Sequence, residues 1–184
     1  MTVCVRPRRF YNGVMPMHLT VDPETSTLRA DDGRSWRCAL GKGGIVREKR
    51  EGDGGTPVGT FPIRRVLYRP DRLAEAPETG LPVRALAPND GWCDDPADPA
   101  YNRPIALPYG ASHERLWRDE AVYDVIVILG HNDDPPVAGR GSAIFMHVAR
   151  PGYTGTEGCV ALALPDLLDL LAACGPDSTI TIPE

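Results

Sequence analysis

Closely spaced glycine and proline residues limit this chain to short elements of secondary structure. Each of the two occurs 19 times in 184 residues, and no run of them is long enough to form a linker or a disordered tail. Proline interrupts helices and central strands and glycine permits tight turns, so their scatter predicts many turns and ordered loops between short strands. At this length we expect one domain over residues 1–184, with a core that needs no disulfide or metal.

Short apolar runs between these turns predict a mostly β fold. A further strand is predicted through Val66 and Leu67, and Pro57 and Pro62 would place its approach at the edge or entry of a sheet. Residues 122–129 are nearly continuously β-branched, which predicts a central strand. The other predicted strands cover residues 17–21, 26–30, 35–40, 143–148 and 178–182.

One helix is predicted, over residues 165–174, because proline favours the first turn and Gly175 favours a stop. Residues 70–120 contain aromatic residues but little periodicity. Long segments of this kind are uncommon unless they cover a functional surface. We therefore expect a mostly β chain with one C-terminal helix and long loops.

Composition excludes several classes of function. A net charge of −5 and a pI near 5.4 argue against non-specific binding to nucleic acid. The sequence has no run of 18 apolar residues, so it predicts no transmembrane segment. The arginine-containing N-terminus has no apolar stretch of the kind found in Sec signals. Five cysteines without a CxxC pair fit neither a zinc knuckle nor a disulfide scaffold.

Residues 141–162 carry the strongest chemical signal. A predicted strand delivers His147, a loop with glycine and proline follows, and Gly158-Cys159 leads into another apolar segment. A cysteine is an effective nucleophile as thiolate, which an imidazole within hydrogen-bond reach can generate. Glycine before the cysteine permits a tight turn that leaves backbone N–H groups free for an oxyanion. The pattern predicts an acyl-transfer site.

Two segments carry a resemblance to a known family. One is the strand histidine followed by Thr-x-Gly-Cys and an aliphatic residue, and the other is Gly-Asp-Gly-x-Thr-Pro-x-Gly-x-Phe within residues 51–61. Together they resemble the L,D-transpeptidase (YkuD-domain) family over roughly residues 15–183. The resemblance implies a β-sandwich-like catalytic fold. It also implies a nucleophile, Cys159, that forms a thioester with a peptidoglycan stem peptide, and a base, His147.

The resemblance further implies that the backbone N–H groups of Gly158 and Cys159 stabilise the oxyanion, and that the Val148 carbonyl orients the His147 ring. Where the family has a histidine before Gly-Cys, this chain has Glu157, which we expect to bind the cationic acceptor amine. Arg150 is expected to meet stem carboxylates. The remaining expected substrate-binding residues are Thr156, Tyr153, His131, Asn132, Trp92 and Tyr101.

The sequence leaves other functions open. The same Cys–His pair would serve an L,D-carboxypeptidase or endopeptidase with water as acceptor, and a non-catalytic wall-binding module would need no reactive thiol. A zinc hydrolase using His131 and His147 lacks the usual ligand patterns. We expect no cofactor or metal, stem peptides as partners, a monomer, and a bacterial periplasmic or cell-wall location. Neither 3,3 nor 1,3 links to meso-diaminopimelate are favoured.

Overall fold

A computed structural model describes residues 16–184. Cys4 lies outside the described residues, and so does the N-terminal segment for which no Sec signal was predicted. Strands make up most of the regular structure. They are β1 (His18–Asp22), β2 (Thr27–Ala30), β3 (Ser35–Arg37), β4 (Ile45–Val46), β5 (Thr56–Pro57), β6 (Gly59–Tyr68), β7 (Val83–Ala85), β8 (Asp90–Cys93), β9 (Pro104–Ala106), β10 (His113–Arg115), β11 (Val125–Leu129), β12 (Phe145–Val148), β13 (Val160–Leu162) and β14 (Thr179–Ile182).

The helices are few and short. Two 3₁₀ turns cover Ala121–Tyr123 and Pro151–Tyr153, and one α-helix, α1, covers Leu164–Ala172. The predicted mostly β fold is therefore confirmed. The helix ends two residues before its predicted end because the N–H groups of Ala173 and Cys174 bond to carbonyls three residues back, which tightens the last turn.

Nine of the described strands form one mixed sheet, in the order β13-β12-β11-β6-β14-β1-β2-β3, with β7 paired to β6. All five residues of β11 are buried, so the predicted central strand is confirmed, although it begins at Val125. The residues before it turn, because the Asp124 N–H bonds to the Ala121 carbonyl. A small sheet, β10-β8-β9, occupies part of the segment that the sequence left as loops.

The edge or entry position predicted for Pro62 is wrong, whereas Pro57 does lie in a two-stranded edge, β4-β5. Strand β6 is central, but it changes partners along its length: Gly59–Pro62 pairs with β14 and the rest pairs with β11. Pro62 lies at this exchange, where neither ladder requires the N–H that proline lacks. Its carbonyl still accepts a hydrogen bond from the Gly130 N–H at 2.9 Å.

Apolar side chains cover both faces of the large sheet. On one face α1 packs its buried leucines Leu167, Leu170 and Leu171 against the strands. On the other face a smaller apolar cluster joins β11 and β12 to the small sheet, and it includes Trp92, Phe145 and Cys159. The second face positions the site described below. No helix of residues 16–184 combines the length and apolarity needed to cross a membrane.

Candidate active site

Adjacent strands bring Cys159 and His147 together. Strands β12 and β13 run parallel, with Met146 opposite Val160 and His147 opposite Ala161. Cys159 immediately precedes β13 and points to the same face as His147 and Phe145, since side chains two residues apart share a face. Both Cys159 and His147 line one cavity of about 420 Å³.

The Cys159 thiol is almost enclosed, with 7% of the residue exposed. Its sulfur donates to the Ala143 carbonyl at 3.2 Å and accepts the Phe145 N–H at 3.4 Å. Burial, with a smaller contribution from nearby Glu114, raises the pKa of Cys159 to about 12 against the lowering effect of the Phe145 N–H. The resting cysteine is therefore a neutral thiol at pH 7.

The His147 ring is held by one hydrogen bond and one aromatic contact. Its Nδ1 lies 2.9 Å from the Val148 carbonyl, and because a carbonyl only accepts, Nδ1 carries the proton and Nε2 is left as a proton acceptor. The Tyr123 ring packs edge-on against the imidazole, with centroids 5.5 Å apart. Burial lowers the pKa of His147 to about 4, so the ring is neutral at pH 7.

Within residues 16–184 no hydrogen bond joins His147 to Cys159, and the thiol hydrogen points to Ala143. The pair is thus two neutral groups that share a cavity, not a preformed thiolate and imidazolium. Such a pair can still transfer a proton when a substrate brings the two groups into line, because apo geometry often tightens on binding.

A buried threonine shapes the turn before Cys159. Thr156 Oγ1 donates to the Cys159 carbonyl at 2.7 Å and accepts the Gly158 N–H at 3.1 Å. The Gly158 N–H was expected to face an oxyanion, but in this structure Thr156 has already taken it. Gly158 adopts a φ of +127°, and a Cβ there would lie 2.6 Å from the Gly55 carbonyl oxygen, so only glycine fits.

The loop at residues 49–55 supports this turn from the other side. Lys49, which is 7% exposed, bonds through Nζ to Asp53 and to the Arg50 carbonyl. The Asp53 carboxylate also accepts the N–H groups of Arg50 at 2.7 Å and Gly55 at 2.8 Å. Burial alone would raise the pKa of Asp53, but these hydrogen bonds outweigh it and hold the pKa below its usual value.

Three of the expected substrate-binding residues line the cavity: Thr156, Glu157 and Arg150. The Glu157 side chain is exposed and forms an ion pair with Lys42 at 2.5 Å. Arg150 is paired with Glu120 at 3.0 Å. Each charge that the sequence assigned to substrate therefore already has a partner from the protein.

Five other expected residues do not line this cavity. Tyr153 stacks with Arg37 in a separate groove, and His131 packs on Phe61 while its Nε2 bonds to the Arg140 carbonyl at 2.9 Å. The Asn132 side chain forms hydrogen bonds with the backbone of Val137 and Gly141. Trp92 packs against Phe145 and donates its Nε1–H to Asn102. Tyr101 is buried and donates to Glu51. In this structure their contacts are with the loops around the site, and their contact with substrate stays a prediction.

The segment at 70–120 supplies residues that sequence reasoning missed. Glu114 accepts hydrogen bonds from the Tyr123 hydroxyl at 2.8 Å and from Arg118 at 2.5 Å, and all three line the cavity. From the sequence we expected Tyr123 in a strand, and Glu114 and Arg118 in loops without periodicity. The only available signal was the aromatic content of a long irregular segment. The cavity also receives Asp94, His113 and Arg115 from this segment.

No group of three or more histidine, cysteine, aspartate or glutamate side chains within the described residues is placed to hold a metal ion. His131 and His147, which a zinc site would have combined, do not line a common cavity. The arrangement that remains is a thiol, an imidazole with a free Nε2, and a polar cavity between them. Chemically it suits acyl transfer.

Comparison with known proteins gave one family and several structures. A family model for the L,D-transpeptidase catalytic domain (YkuD) matches residues 16–182, and no curated protein matches. L,D-transpeptidase 1 of Mycobacterium tuberculosis is 12% identical, with a TM-score of 0.42 over 91% of this chain and 59% of that chain. An L,D-transpeptidase from Mycobacterium smegmatis is 14% identical, with a TM-score of 0.42 over 94% and 64%. This chain spans less than two thirds of either protein.

The family model extends over nearly all the described residues and includes the glycine-rich loop, the strand histidine and the Gly-Cys turn. The resemblance stated from these motifs is therefore confirmed. On this evidence the chain belongs to the L,D-transpeptidase catalytic-domain family.

Proposed function

We propose that this chain is a cysteine acyltransferase that cross-links peptidoglycan stem peptides, with Cys159 as nucleophile and His147 as general base. The observation that supports this most directly is the cavity shared by a neutral thiol and a histidine whose free nitrogen is Nε2. Membership of the family supports peptidoglycan as the substrate. An acceptor from a second stem completes a transfer, whereas water would complete a hydrolysis.

In the first half-reaction the Cys159 thiol turns from the Ala143 carbonyl toward His147. His147 Nε2 takes the proton as sulfur attacks the carbonyl carbon of an L-configured residue in the donor stem. The C–S bond forms, the peptide C–N bond breaks, and the departing amine receives the proton from His147. Because both groups start neutral, charge separates only as the transition state forms.

The Cys159 N–H is our proposed oxyanion donor. The Gly158 N–H is bound to Thr156 Oγ1 and serves the reaction indirectly, by fixing the turn. Oxyanion donors act through a prearranged position. The hydrogen bonds of Thr156 give that prearrangement a physical basis.

Arg150 and Glu157 remain proposed contacts for the substrate at the cavity rim. Arg150 would exchange Glu120 for a stem carboxylate, and Glu157 would exchange Lys42 for a stem amine. The remaining proposals follow the family: stem peptides as partners, a location outside the cytoplasm, a monomer, and no cofactor. Both 3,3 and 1,3 links are compatible with this chemistry. Fragmentation of the product decides between them.

The test is mass spectrometry of purified disaccharide-tetrapeptide incubated with wild type, with Cys159→Ala and with Cys38→Ala. Cys38 is also buried, but it lies outside the cavity and is the matched control. We expect cross-linked dimer from wild type and Cys38→Ala and none from Cys159→Ala. Shortened monomer alone would replace the transferase by a carboxypeptidase. Dimer from folded Cys159→Ala would refute the mechanism.

A carbapenem gives a second readout, because a β-lactam would acylate the same sulfur. We expect one covalent adduct in the intact-mass spectrum of wild type, located at Cys159 by peptide mapping. If wild type gave neither an adduct nor a product, the non-catalytic wall-binding module would be favoured.

A further inference from the structure

Two polar atoms on the cavity wall have no hydrogen-bond partner within residues 16–184. They are Ser142 Oγ and Asp94 Oδ1, and both are buried. Ser142 is 7% exposed, and both residues line the cavity that contains Cys159. A buried polar atom without a partner is destabilising because it has lost its hydrogen bond to water, and a ligand that supplies hydrogen atoms would remove that cost.

A third residue of this wall, Glu51, is held in place from behind. Tyr101, which is 4% exposed, donates its hydroxyl hydrogen to Glu51 Oε2 at 2.5 Å. Burial and the contact with Glu51 raise the pKa of Tyr101, and a contact of its hydroxyl with Ser142 Oγ opposes them, although the geometry of that contact falls short of a hydrogen bond. Glu51 and Ser142 therefore converge on the same part of the cavity.

Three acidic side chains of this wall lie close enough to influence one another. Burial raises the pKa of Glu114, and the neighbouring charges of Asp94 and Glu51 raise it further against the lowering effects of Tyr123 and Arg118. The Arg118 guanidinium is occupied by Glu114 and lies over the Tyr123 ring at 4.5 Å. Within the described residues, neither Glu51 nor Asp94 forms an ion pair with a lysine or arginine.

We infer that Glu51, Asp94 and Ser142 form a subsite for the primary ammonium group of the acceptor, beside Cys159. An ammonium group presents three N–H donors and no acceptor, and this wall presents two carboxylates and a hydroxyl oxygen. Charge-assisted hydrogen bonds of this type are the strong ones in a partly enclosed site. The inference rests on the proposed function.

Glu157, which the sequence favoured for this role, is placed less well. Its side chain is 73% exposed and is neutralised by Lys42. A solvated ion pair at a rim contributes little to binding. The proposed amine-recognising residues are less exposed than Glu157, and they lie on the 49–55 loop, after β8 and before β12.

The second half-reaction balances with this placement. The bound ammonium releases one proton to water, and its nitrogen attacks the thioester carbonyl. The C–N bond forms and the C–S bond breaks. The second proton of that nitrogen passes through His147 to the Cys159 sulfur, which restores the thiol. Water admitted to the same position would give hydrolysis instead.

The experiment measures partitioning of a preformed thioester. Wild type, Glu51→Gln and Asp94→Asn are acylated with disaccharide-tetrapeptide, and thioester formation is followed by intact mass. Disaccharide-tripeptide with a free diaminopimelate side-chain amine is then added, and dimer is compared with hydrolysed monomer. Glu48→Gln is the matched control, because Glu48 is exposed and lies outside the cavity.

We expect both site variants to form the thioester at a rate within about twofold of wild type and to lose about tenfold or more in the ratio of dimer to hydrolysed monomer. Glu51→Gln keeps an oxygen that accepts from Tyr101, so its loss reports charge. Ser142→Ala is a second, milder variant, with an expected loss of about threefold.

Unchanged ratios in all three variants would overturn the subsite while leaving the transpeptidase intact. Equal losses in thioester formation and in the ratio would also overturn it, since they would indicate general damage to the site. Failure of wild type to form any thioester would refute the proposed function, and the subsite with it.

Discussion

At Gly158 the effect of one added methyl group on the site can be calculated. In Gly158→Ala the new Cβ would lie 2.6 Å from the Gly55 carbonyl oxygen, whereas ordinary contacts begin near 3.4 Å. The two backbone segments must separate by about 0.8 Å to relieve the overlap. Gly55 resists this shift because Asp53 holds its N–H at 2.8 Å and Val46 packs against its Cα.

Two terms add at this position. The left-handed φ of +127° costs a non-glycine residue about 1–3 kcal/mol, and overpacking costs about 1–3 kcal/mol more. We therefore expect Gly158→Ala to lower the free energy of unfolding by about 2–6 kcal/mol.

Gly152→Ala separates the two terms. Gly152 also has a positive φ, +81°, but nothing lies within 4 Å of its added Cβ. It should lose about 1–3 kcal/mol, from backbone strain alone. Urea unfolding followed by circular dichroism gives both values. Equal losses in the two variants, or a loss below about 1 kcal/mol in Gly158→Ala, would refute the contact argument.

Two further predictions concern the same turn and its thiol. Thr156→Val should leave the Gly158 N–H and the Cys159 carbonyl without their partner, which lowers the free energy of unfolding by about 1–3 kcal/mol for each group. Thr156→Ser keeps the hydroxyl and should lower it by less than about 1 kcal/mol. Urea unfolding of both variants checks this, and equal losses would contradict it. Since the pKa of Cys159 is raised to about 12 and that of His147 lowered to about 4, alkylation of resting Cys159 by iodoacetamide should rise about tenfold per pH unit from pH 6 to 9. A plateau above pH 7 would instead indicate a resting thiolate–imidazolium pair.

Strand positions followed from local pattern more reliably than pairings did. The β-branched run that forms β11 was recognisable because every residue in a doubly covered strand is apolar. The prediction for Pro62 was wrong because the sequence shows only that proline lacks an N–H. It does not show whether a neighbouring strand needs a hydrogen bond from that position. That depended on the exchange from β14 to β11, which involves residues more than 60 positions away.

The site divides in the same way. The motif around Cys159 and His147 is local in sequence, so it predicted both residues and the resemblance to the family. The status of the Gly158 N–H was not predictable in the same manner, since it depends on the side-chain rotamer of Thr156. Tyr101 and Trp92 were expected to bind substrate, and only the fold showed that Tyr101 donates to Glu51 and that Trp92 packs against Phe145 outside the cavity.

By itself, the sequence determined a mostly β chain with one helix, the strand histidine, the Gly-Cys turn and the family, because each depends on residues close together in the chain. Only the tertiary structure decided that Glu51, Asp94, Ser142 and Glu114 surround the thiol. These residues come from four separate segments, and no periodicity links them. The physical reason is that burial and charge at Cys159 are sums over neighbours in space, and the chain order does not contain those neighbours.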